Sequence, residues 1–479
     1  MKKLSVLLFV LLIPSAAAAE DDNCYLVVAG LSATADGSVM LAHNEDNGTD
    51  KVFRFRRVER RVHVSGEFVE LHGGGRLEQT DTTWAYTVWE MPGMHFSHGM
   101  VNEHAVAVVS NSCPSREDRP MLTDGGIGPL LRWLVVERAR SAREGAELAG
   151  ALIERFGYSA SGRTLTIADP REAWQVAMVN GKHWVARRVP DNQVAVLANS
   201  YGIHRIDLAD TVNFMGSADL IDYARERGWY DPAMDKEFDF ERAYAGRGRL
   251  TDPNQRLRQW TGFRHFAAPD YAPPPDGEPL PFSIEPLKPL TPEQMFAALR
   301  DHYEASQFEA GDCLPHVTPC GASPRAVCHG STNHGDLFQL RGNVPSPLRT
   351  IWWYSFWRPC SAPFVPLYPA AGSVPAALGF EVHDHVFRDP SSGEMPGRDK
   401  AIGVFRELTL RVDERRWRDI NTVRARWRQF ERDQWPEVRK LESEVVSLQS
   451  RDNEITNRLA EFGEYRLEQA MKAAAEMLE

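Results

Sequence analysis

A pair of helical segments standing between two groups of strand-forming runs constrains this chain more than any other feature of its sequence. Cys24 to Ala29 and Ser38 to Ala42 are short apolar runs rich in strand-forming residues, with Asp36-Gly37 as the turn signal between them. Trp84 to Trp89 and Ala105 to Val109 read as two further strands. Gly128-Pro129 opens a helix that carries Leu130, Leu131, Trp133, Leu134 and Val135 on its buried side. Ser141 and Glu144 form a capping box for a second helix, which stops at Phe156-Gly157. Strands return at Thr164 to Ile167, at Ala173 to Val179, across Asn180-Gly181 at His183 to Val189, and at Val194 to Ala198. Helices between two sets of antiparallel strands predict a layered α+β fold, because each sheet needs another element to cover its apolar face.

The rest of the chain is less regular. Residues from Asp252 to Pro289 are richer in proline and poorer in periodicity, and they read as a surface excursion. Thr291-Pro292-Glu293-Gln294 restarts a helix with a capping box and proline at its first position. Strand-like runs follow at Asp336 to Leu340 and Thr350 to Phe356, and the Trp352-Trp353 and Phe356-Trp357 cluster is expected in the core. Beyond Arg406 the sequence is helical and highly charged. Leu441, Leu448, Ile455 and Phe462 recur every seven residues, but the companion row of Val445, Asp452 and Leu459 is broken by an aspartate. A terminal helical hairpin packed on its own domain is therefore expected in place of a coiled coil. The 479 residues are 43% hydrophobic, enough for a sizeable core, and 66 acidic against 55 basic residues give a net charge of −11. That balance argues against binding to a phosphate backbone, so nucleic acid is not an expected partner.

Met1-Lys2-Lys3, the apolar run Leu4 to Ile13 and the small residues Ala16 to Ala19 have the three parts of a secretory signal peptide over 1–19. The apolar run is too short for a stable membrane anchor. The mature protein is expected to be exported, periplasmic or secreted, with no membrane association after signal removal. Export permits disulfides, and Cys313, Cys320 and Cys328 are close enough in sequence to pair locally. Their spacing matches no standard zinc knuckle.

Cys24 follows the signal peptide by only Glu20, Asp21, Asp22 and Asn23. Those residues are the wrong chemistry for a lipoprotein cysteine. Two readings remain open. In one, Cys24 is a structural half-cystine. In the other, residues 20–23 are a short propeptide whose removal makes Cys24 the N-terminal residue. A thiol has a pKa of about 8.5 and an α-amine one of about 7.7–8.0, so one residue then carries both nucleophile and general base. The register of the first hairpin is also open. If its loop takes all of Leu31 to Gly37, Cys24 lies opposite Asn44, with His43 beside the thiol and Asp46 in reach of the amine. A two-residue turn at Asp36-Gly37 carries Cys24 past that acidic cluster.

Cys24, the Ala35-Asp36-Gly37-Ser38 turn and Ala42-His43-Asn44-Glu45-Asp46 resemble the opening of the N-terminal-nucleophile (Ntn) dipeptidases. These are the dipeptidase A and secernin relatives, thiol hydrolases akin to penicillin V acylase and bile-salt hydrolase. The resemblance continues through Gly99 to His104, Leu130 to Arg138, Ile167-Ala168-Asp169-Pro170 to Trp174, and Ala198-Asn199-Ser200 to Asp207. Looser later blocks are Cys328-His329-Gly330 and Trp352 to Tyr368. The resemblance implies a four-layer αββα sandwich over 24–405, followed by a helical segment over 406–479. It implies Cys24 as nucleophile, Asp46 near the amine, Asn199 as an oxyanion-binding side chain and Asn111 as a backbone contributor. His43 stands where these enzymes usually carry arginine, which puts a fixed positive charge there in question. Ala105 replaces a usual glycine, a change expected to touch packing only.

Three smaller signals carry less. His72-Gly73-Gly74-Gly75 echoes a lipase oxyanion loop but lacks a G-x-S-x-G elbow, so a hairpin turn is expected. His383-Asp384-His385 lacks the further ligands a metal needs and reads as a surface strand. Asn47-Gly48-Thr49 is a glycosylation sequon only in a eukaryotic source. The expected activity is that of an exported cysteine-type dipeptidase acting on small peptides, with no metal or organic cofactor and with homo-oligomerisation left open. The alternatives are an acylase cleaving N-acyl amides, or a secreted binding protein with Cys24 in a disulfide.

Overall fold

The computed structural model describes residues 24–47, 53–91, 96–273, 278–309, 316, 324–379, 395–415, 418–449 and 451–479. The signal peptide and propeptide read from the sequence, Gly48-Thr49 of the sequon, Cys313, Cys320 and His383 to His385 lie outside them.

Two antiparallel sheets stack face to face. One has seven strands in the order Ser283–Ile284, Val194–Leu197, Tyr25–Ala29, Val39–Glu45, His334–Leu340, Thr350–Phe356 and Val365–Leu367. The other has eight, in the order Phe214–Gly216, Trp184–Arg188, Ala173–Gly181, Tyr158–Ala168, Ala107–Ser112, Phe96–Asn102, Tyr86–Met91 and Arg54–Val58. Strand alternation sorts the side chains into layers. Leu26, Val28, Val39, Leu41, Phe338 and Trp352 of the first sheet meet Trp89, Val101, Val109 and Ala177 of the second between the sheets. The opposite faces are covered by helices. Leu131–Arg138 and Ala142–Phe156 pack on Val108, Ile167, Val176 and Met178. Pro253–Arg264 and Pro292–Leu299 pack on Tyr25, Val27, Met40 and Leu337. The αββα order inferred from the resemblance is the observed one.

Local chemistry explains most boundaries. Ser141 caps the second helix by accepting from the Glu144 N–H at 3.2 Å, and Gly157 ends it with φ +80°. Thr291 and Gln294 form the expected capping box. His72 to Gly75 turns the chain between the strands Phe68–Glu70 and Arg76–Glu78, as a hairpin should. Ala105 departs from expectation. Its φ of +61° puts a side-chain-bearing residue in the left-handed region, so the glycine-to-alanine change bears on the backbone and not on packing alone.

Neither hairpin register anticipated from the sequence is the observed one. Tyr25 pairs with Asn44 and Ala29 with Met40, which brings Cys24 level with Glu45, one residue beyond the long-loop alternative. Both faces of both strands are buried, so the apolar pattern cannot choose between neighbouring registers. The loop chooses. Leu31–Ala33 forms a 3-10 turn, Thr34 Oγ1 donates to the Ser38 carbonyl at 2.7 Å, and Asp36 accepts from the Ser38 N–H at 3.2 Å. The Ser32 and Ala33 N–H groups both donate to the Asp191 carbonyl, which ties the loop to the next connection.

The Asp252–Pro289 segment is more than a surface excursion. Asp252 caps the helix Pro253–Arg264, whose buried face carries Gln255, Arg258, Trp260 and Phe263. Two polar residues on that face hide its periodicity. Three helices, Ala401–Glu414, Ile420–Ser447 and Asp452–Leu478, close the chain. The seven-residue row crosses from one helix to the next, with Leu441 before the turn and Ile455 and Phe462 after it, so it forms no continuous seam. Leu441, Ile455, Leu459 and Phe462 instead join the core around Met40, Leu337 and Trp353, and the hairpin packs on its own sandwich.

Candidate active site

The site lies at the end of the two central strands, between the sheets. Alternation points Cys24, His43 and Glu45 to the same side, with Tyr25 and Asn44 turned toward the outer helices. Asn44 accordingly donates through Nδ2 to the Leu299 carbonyl at 2.8 Å, away from the thiol. Cys24 is wholly buried, and its thiol donates to Glu45 Oε1 at 3.3 Å. A ring nitrogen of His43 shares the same space, all three ligand-type atoms lying within 4.8 Å of one another. Cys24, Cys113, Cys328 and Cys360 are all thiols. Cys328, one of the three cysteines close enough in sequence to pair locally, is a thiol, and so is Cys24, against the half-cystine reading.

His43 is not a substitute for a fixed cation. Burial, and then the facing His334, pull its pKa down to about 3, so the imidazole is neutral across the working range. It can exchange a hydrogen bond with sulfur or substrate, but it supplies no positive charge.

Asp46, just past the strand end, is ionised. Burial opposes that state, but His329, Arg325 and Arg258 outweigh it and hold the carboxyl below the usual range. His329 Nε2 lies 2.9 Å from Asp46 Oδ2, the Ser331 N–H donates to Nδ1 at 3.2 Å, and the Arg325 Nε–H reaches Nε2 at 3.0 Å, so the imidazole sits between Asp46 and Arg325. Thr332 Oγ1 donates to Asp46 Oδ1 at 2.6 Å. The loop 328–332 thus wraps the carboxylate on one side.

Arg258, also wholly buried, faces it from the other side. Its Nη1 lies 3.7 Å from Asp46 Oδ2 and 3.4 Å from the Cys24 carbonyl, and its Nη2 donates to Asn199 Oδ1 at 2.8 Å. This one guanidinium links the nucleophile's backbone, Asp46 and Asn199. Asn199 is held further by Nδ2 donation to the Ser112 carbonyl at 3.0 Å and by Gln255, which accepts from its N–H at 2.9 Å. Gln255 and Arg258 are one helical turn apart and so share a face. Asn111 Nδ2 donates to the Ala198 carbonyl at 3.2 Å, so the two asparagines stand on adjoining strand ends.

All five residues singled out from the sequence (Cys24, His43, Asp46, Asn111 and Asn199) are therefore gathered in one buried region. His43 sits beside the sulfur, whereas Asp46 reaches Cys24 through Arg258. Sequence reasoning passed over Glu45, Arg258, His329 and Thr332. Period-two alternation from His43 points to Glu45, and the Cys328-His329-Gly330 block contains His329. Nothing in the sequence alone marks Arg258. A cleft of about 1200 Å³ opens alongside, lined by Ala198, Ser200, Glu241, Gln255 and Arg256 among others. It flanks Asn199 but is not lined by Cys24.

Residues 23–388 match the family described as Peptidase family C69. The chain is 27% identical over 363 residues to a probable dipeptidase of Latilactobacillus sakei, covering 73% of this chain and 74% of that protein. It is 25% identical over 355 residues to a probable dipeptidase of Salmonella dublin, covering 72% and 80%. Against a dipeptidase of Bifidobacterium longum it is 26% identical over 394 residues, covering 74% and 72%.

Proposed function

The chain belongs to peptidase family C69 and is a cysteine-type dipeptidase, and from that premise we propose that Cys24 is its nucleophile, unmasked when the Asn23–Cys24 bond is cut in an exported precursor. The observation that carries this reading is the Cys24 thiol at the end of the central strands, in one hydrogen-bonded region with Glu45, Arg258 and Asn199.

In the proposed reaction the freed α-amine takes the thiol proton while sulfur attacks the scissile carbonyl carbon. The carbonyl oxygen becomes an oxyanion, met by the Asn199 amide and a backbone N–H near Asn111. The ammonium returns its proton to the leaving nitrogen, the C–N bond breaks, and the first product departs with a free amine. Water then attacks the thioester, giving one proton to the amine. The C–S bond breaks, and the second product leaves as a carboxylic acid with the thiol restored. Glu45 and neutral His43 shape the hydrogen bonding around sulfur. Asp46 and Arg258 position the strand end. The charged cleft beside Asn199 suits a small substrate with both an ammonium and a carboxylate.

Intact mass of the mature chain and dipeptide turnover by Cys24→Ala test the proposal together. The expected results are a chain starting at Cys24 and a loss of about 10⁴-fold or more in kcat for a variant that stays folded. A fully active chain still carrying Asn23, or an active Cys24→Ala variant, overturns it. Turnover of N-acyl amino acids in preference to dipeptides would move the substrate to the acylase alternative.

A further inference from the structure

A second cluster of sulfur and imidazole lies behind the loop that wraps Asp46. His302, His316, Cys328 and Cys360 are all buried, and one ligand-type atom from each lies within 4.8 Å of the other three. Cys360 Sγ is 3.3 Å from His316 Nε2. Zn–S bonds of about 2.3 Å and Zn–N bonds of about 2.0–2.1 Å place the corners of a tetrahedral site roughly 3.5 Å apart. Cys360 and His316 stand near that spacing, and all four ligand-type atoms lie within 4.8 Å of one another.

We propose that His302, His316, Cys328 and Cys360 form a closed structural site for one zinc ion. The surroundings of both imidazoles support it. His302 Nδ1 is 3.1 Å from Glu304 Oε1, and His316 Nδ1 is 2.9 Å from Asp413 Oδ1, so each ring turns Nδ1 to a carboxylate and has Nε2 to offer a metal. Carboxylates behind metal-binding histidines fix the tautomer and raise ligand basicity. Each carboxylate is in turn paired with arginine: Arg424 lies 3.0 Å from Glu304, and Arg358 bonds Asp413. Arg424 Nη2 and Arg358 Nη1, which can only donate, also approach the two Nδ1 atoms, at 2.7 and 3.0 Å, so each Nδ1 lies between a donor and an acceptor, and a metal on Nε2 would leave it protonated toward the carboxylate. A divalent ion with two thiolates is neutral, as are two carboxylates with two guanidiniums, so the ligands and the groups behind them together carry no net charge. Two sulfurs and two nitrogens, a full set of four protein ligands, favour zinc over harder cations and over a catalytic role.

The site also has a mechanical consequence. Cys328 begins the loop whose His329 and Thr332 hold Asp46, and Arg358 donates to the Gly330 carbonyl of that loop at 2.8 Å. The metal joins this loop to His302, three residues beyond the helix Pro292–Leu299, and to Cys360 in the turn after the strand Thr350–Phe356. It fixes the back wall of the Asp46 pocket without touching substrate.

The test loads the full chain, kept reduced, with Zn²⁺ or Co²⁺ and then dialyses it, using Cys24→Ala and Cys360→Ser alongside the wild type. Wild type and Cys24→Ala are expected to retain one metal per chain, with tetrahedral cobalt bands and thiolate-to-cobalt charge transfer. Cys360→Ser is expected to lose most of both. Cys24→Ala matters because Cys24, His43 and Glu45 are the other cluster of ligand-type residues among the described residues. Should Cys360→Ser fail to fold, chelation of the wild type is read by thermal unfolding, where a lower Tm is expected. No retained metal in the wild type, metal lost from Cys24→Ala but kept by Cys360→Ser, an unchanged Tm on chelation, or a Cys328–Cys360 disulfide in the isolated protein would each overturn the proposal.

Discussion

Two buried clusters of sulfur and imidazole sit on either side of Asp46, and they differ in how their valences are closed. Around Cys24 there are one thiol, one imidazole and one carboxylate, all supplied from the paired ends of adjacent strands. Around Cys328 and Cys360 there are two thiols and two imidazoles, supplied from separate connections, with both rings backed by carboxylates. A nucleophile needs a sulfur with chemistry left to do, whereas a structural metal needs every ligand position filled. On the two proposals above, the same residue types serve opposite ends, and the count and the backing groups tell the two apart.

Removing the cation that faces Asp46 breaks the comparison on one side only. Arg258→Met strands a buried carboxylate and is expected to destabilise the protein by about 3–5 kcal/mol in denaturant unfolding. Its metal content should stay that of the wild type. A loss under about 1 kcal/mol would mean that Arg325, His329 and Thr332 hold the carboxylate without Arg258.

His43 gives a smaller, pH-dependent effect. The unfolded histidine takes a proton near pH 6.5, but the folded one resists until about pH 3, with the His334 ring, Asp46, Arg132 and Glu45 around it. The unfolded state therefore binds more protons below pH 6.5, and stability falls as pH drops through that window toward 3. By pH 5 the loss amounts to about 2 kcal/mol. His43→Gln should flatten Tm against pH between 7 and 5 and leave the pH profile of kcat without a lost inflection. A profile that loses an inflection near pH 6.5 in His43→Gln would show that this imidazole does titrate in the folded enzyme.

The smallest expected effect lies away from both clusters. Ala105→Gly relieves a left-handed cost of about 1–2 kcal/mol but adds unfolded-state entropy worth about 0.5–1 kcal/mol. Tm should rise by about 1–2 °C with metal content and kcat unchanged, since a net gain under 1 kcal/mol shifts a large chain little. A fall in Tm would show that the Ala105 methyl contributes packing that outweighs its backbone strain.

The layered alternation of strands and helices was legible because it rests on local rules, while the αββα order came from the resemblance. Strand period, the Ser141 and Thr291 caps and the stop at Gly157 each act within a few residues. Cys24 was legible because its position just after the expected signal peptide is a matter of chain order. The Arg54–Val58 edge strand and the helix Pro253–Arg264 were missed, the first for its arginines and the second for its buried polar face.

What sequence by itself determined was the layering, the candidate nucleophile and its likeness to a family of thiol hydrolases. Only the tertiary structure decided that Cys24 meets Glu45, that Arg258 ties Asp46 to Asn199, and that His302, His316, Cys328 and Cys360 converge. The reason is physical: register in a sheet buried on both faces is set by loop contacts, and a cluster built from distant connections leaves no spacing for a reader of the linear chain to find.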